Sequence, residues 1–195
     1  AAQFGVSTIT VKKAVLNLVA QGLLKRKQGK GTFVVFPKQN RDLRQVVSFS
    51  ESCRLNGTKP GSKTLEQCVI PAPLFVKEAL ECQENHVIFI SRLRFVDSAP
   101  MAVETNWFPM AYSFLLDEDL NNRSLFDLLY QKKTPLMTAR RSIEICNANS
   151  KESQLLQVAP ESALLLIQSI VYNPSETPIF VGKQVINAEH FKVIV

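Results

Sequence analysis

Arg92 and Arg94 stand two apart in Ser91-Arg92-Leu93-Arg94-Phe95. In a strand that spacing turns both guanidinium groups to one face while Leu93 and Phe95 take the other. Two cations side by side repel unless an anion lies between them, and their planar forks suit a phosphate or a carboxylate. The same pattern fits cross-strand pairing with acidic residues on a wet sheet face, and spacing alone leaves both readings open. Ser48-Phe49-Ser50-Glu51 has the capping-box pattern, with Ser48 as N-cap and Glu51 reaching back to it. Orphan N–H groups at such a helix start can hold an anion, although most capping boxes only begin a helix. Covalent catalysis finds little support. His86 and His190 belong to no nucleophile or metal motif, and Cys53, Cys68, Cys82 and Cys146 have no metal or redox spacing. No metal or cofactor is expected, and a reduced, cytoplasmic protein is the simplest reading.

A second chemistry lies in the distribution of charge. Residues 1–36 hold six basic and no acidic residues, whereas 37–195 hold 17 of each, so the whole net charge of +6 sits in the first fifth of the chain. That asymmetry points to a polyanion partner for this segment, most often nucleic acid, with a solubilising basic surface as the alternative.

The elements around these residues read as two domains. Ser7 is expected to cap a helix running to about Gln21, with Val11, Ala14, Val15 and Leu18 on one buried face and Thr10, Lys13 and Asn17 turned away. Gly22 suits the positive φ that follows a helix, and residues 1–5 read as the last turn of a preceding helix with a tight Gly turn. Residues 23–27 and 32–36 read as short strands joined by Gln28-Gly29-Lys30-Gly31, a basic hairpin that forms a wing behind a recognition helix. A phosphate-cradling role for Gly29-Lys30-Gly31 lacks the strand-loop-helix context it needs.

Residues 37–45 read as a polar linker, and 46–195 as an α+β domain around an antiparallel sheet. Its expected helices are 73–81, 124–132 and 150–158, and its expected strands 87–96, 101–108, 140–147, 164–172 and 179–186. Asp97-Ser98-Ala99-Pro100 and Asn173-Pro174-Ser175-Glu176 are the turns of antiparallel hairpins. No apolar run approaches the ~20 residues of a membrane-spanning helix.

Phe4-Gly5-Val6-Ser7, Thr10-Val11-Lys12, Ala14-Val15, Gly22-Leu23-Leu24 and 28–34 resemble, in order and spacing, the DNA-binding signature of the GntR family of transcription regulators. The resemblance implies a helix in the major groove, with Ser7, Thr8, Thr10, Lys12 and Lys13 near bases or phosphates, and a wing that carries Lys30 and Gly31 to the minor groove. Thr8 stands where the family usually has Arg, and Lys12 where it often does, so the operator is expected to differ at the base a bidentate Arg would read. The family pattern also places the first helix and most of the second upstream of this sequence. The winged helix-turn-helix therefore reads as truncated, and this piece is expected to bind DNA poorly.

Ser91-Arg92-Leu93-Arg94-Phe95, Pro100-Met101-Ala102-Val103-Glu104, Ser124-Leu125-Phe126 and Thr177-Pro178-Ile179 resemble the UTRA effector-binding domain of the HutC subfamily, over roughly 46–195. This implies a chorismate-lyase-like fold that senses small metabolites and commonly dimerises. It also implies that Arg92 and Arg94 hold the effector's anionic group, with Phe49 and Ser50 as backbone donors and Ser124 as a hydroxyl donor. Glu104 would meet the polar body of the ligand, or balance an arginine in its absence. Phe126 replaces a common Tyr and Phe180 a common Glu, which implies an anion less hydroxylated than a sugar phosphate. The expected function is a homodimeric repressor released from a palindromic DNA operator by a small anionic metabolite. The alternatives are a DNA-binding protein whose second domain only dimerises and, on fold analogy alone, a lyase-like enzyme.

Overall fold

The computed structural model describes residues 2–21, 23–34 and 38–194, and the chain divides into two compact units, Ala1–Lys38 and Gln39–Val195. In the first unit a 3-10 turn, Ala2–Phe4, leads through Gly5 (φ 59°) to helix α1, Thr8–Ala20. Ser7 caps α1 by accepting from the Thr10 N–H at 3.1 Å. Strands β1 (Leu24–Lys27) and β2 (Gly31–Val34) pair antiparallel from Leu24–Val34 to Lys27–Gly31. Gly29 and Gly31, at φ 71° and 117°, supply the left-handed backbone of the turn.

The burial expected along α1 is only partly present. Val11, Val15 and Val19 are half-buried, but Ala14 and Leu18 are exposed and no residue of the helix is fully buried. One helix beside a two-stranded hairpin has too little surface to enclose an apolar face. The helix-ending role assigned to Gly22 and the strand positions Val35 and Phe36 lie outside the described residues.

The second unit is an α+β domain on a six-stranded antiparallel sheet of order β4-β5-β6-β9-β8-β7. Its strands are β4 (Pro60–Pro71), β5 (His86–Val96), β6 (Ala99–Phe108), β7 (Thr138–Asn147), β8 (Ala163–Tyr172) and β9 (Pro178–Asn187). Asp97 and Ser98 both take positive φ, which makes the β5–β6 turn a two-residue hairpin, and Asp97 is pinned by two hydrogen bonds with the Lys59 backbone. Ala99 and Pro100, expected in the turn, already belong to β6.

Helices α2 (Phe49–Leu55) and α4 (Leu125–Gln131) contribute Phe49, Cys53, Leu125, Leu128 and Leu129 to the apolar clusters on one face of the sheet. Helices α3 (Leu74–Leu80) and α5 (Ser150–Leu156) cover the other, through Val76, Leu80 and Leu156. Both faces are therefore packed, which is why β5 is buried along nearly its whole length.

The linker expectation needs correction. Gln39–Asp42 forms β3, which pairs in parallel with β10 (Phe191–Ile194), so this polar stretch belongs to the second unit from Gln39 onward. Ser48 does cap α2, but Glu51 does not reach back. Its carboxylate takes a hydrogen bond from Arg54 at 2.8 Å instead. The complete capping box is at α5, between Asn149 and Glu152. No helix among the described residues is long and apolar enough to cross a membrane.

Gly182 lies on β9 where the sheet is most crowded. A Cβ there would sit 2.9 Å from Ser169 Oγ, 3.3 Å from Asn106 Oδ1 and 3.4 Å from the Phe180 ring. Gly182→Ala is expected to cost about 1–3 kcal/mol in urea unfolding, with part of the loss recovered by Ser169→Gly. An unchanged midpoint would show that the three strands can move apart at no cost.

Candidate functional site

Antiparallel register aligns Arg92 of β5, Glu104 of β6 and Gln184 of β9 as one rung across the sheet, on the face covered by α2 and α4. Arg94 and Ala102 form the next rung on the same face. The expected pair on β5 does share a face, and that face is dry: Arg92 and Arg94 are each 2% exposed and Glu104 6%.

Glu104 is the hub. Its Oε1 accepts from Arg92 Nη2 and lies 3.6 Å from Arg94 Nη1, and its Oε2 accepts from Gln184 Nε2 at 2.8 Å. Gln184 Oε1 in turn accepts from Arg41 Nη1, and Arg41 is itself buried on β3. Arg92 Nη1 donates to the Arg123 carbonyl at 3.0 Å. Arg94 Nη2 donates to Ser50 Oγ at 3.0 Å, and the guanidinium lies over the Phe49 ring at 4.6 Å.

Burial works against charge on every member. It lowers Arg41 and Arg94 to about 10, partly offset by Glu104. For Glu104 burial is the largest single influence and pushes upward, yet Arg92, Arg94 and the hydrogen bonds from Arg92 and Gln184 outweigh it and hold the carboxyl near 2. The cluster thus sets three buried guanidinium groups against one buried carboxylate. The Nε–H groups of Arg92 and Arg94 are buried with no acceptor among the described residues.

Ser50 and Phe49 reach Arg94 through a hydroxyl and a ring, contacts that the expectation of backbone donors does not include. Ser124 caps α4, accepting from the Asp127 N–H at 3.2 Å. Phe126 and Phe180 lie 6.0 Å apart between ring centroids, and Phe180 packs on Phe108 at 4.9 Å. A cavity of about 340 Å³ lies between α2 and α4, with Ser48, Glu51, Phe126 and Tyr130 in its wall. Arg41 and Gln184 had not been expected in the site. Arg41 was hidden by the linker reading, whereas alternation along β9 puts Gln184 on the face of Phe180.

In the first unit Thr8, Thr10, Lys12 and Lys13 are exposed on α1, as are Lys30 and Gly31 at the hairpin tip. The Ser7 and Thr10 hydroxyls bond to each other at 2.8 Å, so both are engaged at the helix start.

A basic helix and hairpin followed by an α+β domain on an antiparallel sheet is the build of a DNA-binding transcription regulator. Residues 1–34 match the gntR family of bacterial regulatory proteins and residues 55–192 match the UTRA domain. The chain belongs to the gntR family and carries a UTRA domain. It is 30% identical over its whole length to the HTH-type transcriptional repressor NagR of Bacillus subtilis (strain 168), covering 81% of that protein. It is 33% identical to the HTH-type transcriptional regulator YurK of the same organism, over 91% of this chain and 75% of that one. PhnF from Mycobacterium smegmatis shares the fold with a TM-score of 0.79 at 20% identity, over 100% of this chain and 86% of the other. These matches are to regulators rather than enzymes, and the lyase alternative is set aside on that ground.

Removing one partner of the buried rung exposes its energetics. Arg92→Met leaves Glu104 short of its main cation and is expected to cost about 3–5 kcal/mol at neutral pH, most of it recovered in Arg92→Met/Glu104→Met. Because Glu104 is held near 2, below its ordinary 4.5, its contribution is full above about pH 4.5 and is lost as pH falls toward 2. The double variant should lack that part of the acid sensitivity in pH-dependent urea unfolding. A single variant as stable as the double would contradict the linked cluster.

Proposed function

We propose that the protein is a homodimeric repressor whose second unit binds a small anionic metabolite at the Arg92–Arg94 face and so releases a palindromic operator. The observation that carries this reading is the surplus of buried positive charge. Three guanidinium groups share one carboxylate, and two Nε donors have no acceptor. Burying unpaired charge is costly, so a site that keeps this imbalance is suited to receive a further anion.

Glu104 ties down Arg92 when no ligand is present, and an incoming carboxylate or phosphate would compete with it for the same donors. Arg94 is held by Ser50 and Phe49, which carries any movement of the guanidinium into α2. Arg41 extends the network to β3, the strand immediately after the first unit. Ligand binding that rearranges Glu104 and Gln184 would therefore act on the segment leading to the DNA-binding unit. Phe126 and Phe180 add apolar surface where hydroxyl partners would otherwise stand, which favours an organic acid or an amino-acid derivative over a sugar phosphate.

Ser7, Thr8, Thr10, Lys12 and Lys13 would meet the major groove, and Lys30 with Gly31 the minor groove. The relatives named as repressors support repression, and a role on chromosomal DNA supports a cytoplasmic protein. Both sides are tested with the full-length protein by fluorescence anisotropy on a duplex that it selects from a random pool. Lys12→Ala and Lys30→Ala are each expected to weaken binding and to lower the salt slope by about one. A panel of dicarboxylates, tricarboxylates and N-acylated amino acids should contain a compound that weakens duplex binding, and hexosamine phosphates should not. Clear release by hexosamine phosphates would overturn the effector class. Indifference to every anion would reduce the second unit to a dimerisation module.

A further inference from the structure

We propose that the opposite face of the six-stranded sheet carries a second ligand site, a cavity for a small carboxylate with a flat apolar body. Antiparallel register places two neighbouring rungs there. One runs Arg140–Ile170–Val181–Trp107 and the other Ser142–Gln168–Lys183. Both alternate with the rung that carries Glu104 and Gln184, so their side chains point away from the arginine cluster.

Helix α3 walls this floor with Phe75 and Ala79, and the Phe75 ring meets Trp107 edge-on at 5.4 Å. The cavity, open on one side to solvent, has a volume of about 300 Å³. That is at the lower end of the roughly 300–1,000 Å³ of small-molecule pockets, which are mostly apolar with a few fixed polar groups. The division of chemistry is clear across the two rungs. Trp107, Val181 and Ile170 offer an apolar bed beside Phe75, while Arg140 and Lys183 bring two positive charges to its edge.

Neither cation has a carboxylate within ion-pair distance among the described residues. Glu144, one rung further on the same face, is exposed and forms no ion pair with either. The Trp107 Nε1–H is also buried without an acceptor. A flat acid would lay its ring on the Phe75–Trp107 side and its carboxylate between Arg140 and Lys183. A neutral ring would forgo the charge-assisted bonds, and a bare inorganic anion would leave the apolar bed empty.

Trp107 is the single tryptophan of the chain, so its emission reports this cavity directly. Benzoate titrated into the protein at constant ionic strength should change that emission saturably, while benzamide and inorganic phosphate should not. Arg140→Ala/Lys183→Ala replaces two side chains without ion-pair partners, and is expected to weaken apparent benzoate affinity about tenfold or more. Arg92→Met/Glu104→Met, which removes the central pair on the other face, should leave the benzoate response unchanged. The proposal is overturned by the absence of a saturable change, by an equal response to benzamide, or by indifference to the Arg140/Lys183 substitutions. Loss of the response in the Arg92/Glu104 variant would place benzoate on the arginine face instead. A benzoate response that disappears as protein concentration rises would show that a second copy covers the cavity, and it too would overturn the proposal. Only loss of the response in the Arg92/Glu104 variant bears on the arginine face; the other outcomes leave operator release untouched, so failure of one reading is distinguishable from failure of the other.

Discussion

Glu104 is buried in the middle of the sheet, and the guanidinium groups of Arg92, Arg94 and Arg41 are buried around it. A carboxylate in such surroundings would ordinarily take up a proton, because burial removes the water that stabilises its charge. Here the neighbouring arginines reverse that tendency and keep it ionised. The arginines depend on Glu104 in the same way, since burial lowers both Arg41 and Arg94 while Glu104 raises them. Buried ion pairs are seldom gained for stability, and apolar residues of similar volume often serve as well. A cluster in which cations outnumber the anion three to one is still less economical as pure structure, and its retention is better understood through what it can bind.

The architecture around the cluster follows from keeping it dry and in register. Strands β5, β6 and β9 align Arg92, Glu104 and Gln184, and the helices on that face close over them with Phe49, Leu125 and Leu128. Gly182 and the small Ser169 leave Asn106 and Phe180 the room they occupy on neighbouring strands. The parallel β3–β10 pair adds Arg41 from the segment that follows the first unit. The buried arginine cluster is thus joined by continuous backbone to the part of the chain that carries the basic helix.

Much of this was readable before any coordinates, and the failures have physical causes. Alternation along 91–95 put Arg92 and Arg94 on one face, and the turn at Asp97-Ser98 brought Glu104 back across from them. Strands β5 to β9 were all anticipated, because their apolar runs are long and their turns are strongly marked. Strand β4 was missed. Its register shifts between Thr64 and Glu66, which breaks the alternation that identifies a strand. Strand β3 reads as linker because its residues are polar, and the burial of Gln39 and Arg41 comes from pairing with a segment some 150 residues away. Pairing over such a separation leaves no local trace. Along α1 the periodicity of Val11 and Val15 was informative, but periodicity states which face would be covered and not what covers it.

In the proposed function the buried guanidinium groups of Arg92 and Arg94 accept one more anion. Isotope-edited NMR of the arginine Nε–H groups tests it most directly, because those of Arg92 and Arg94 are buried without an acceptor. An anion that weakens operator binding is expected to shift both resonances saturably and together. Surface arginines such as Arg44 and Arg54, already engaged by Asp42 and Glu51, should stay in place. Resonances of Arg92 and Arg94 that remain still, or that drift only as the surface arginines do, would contradict it.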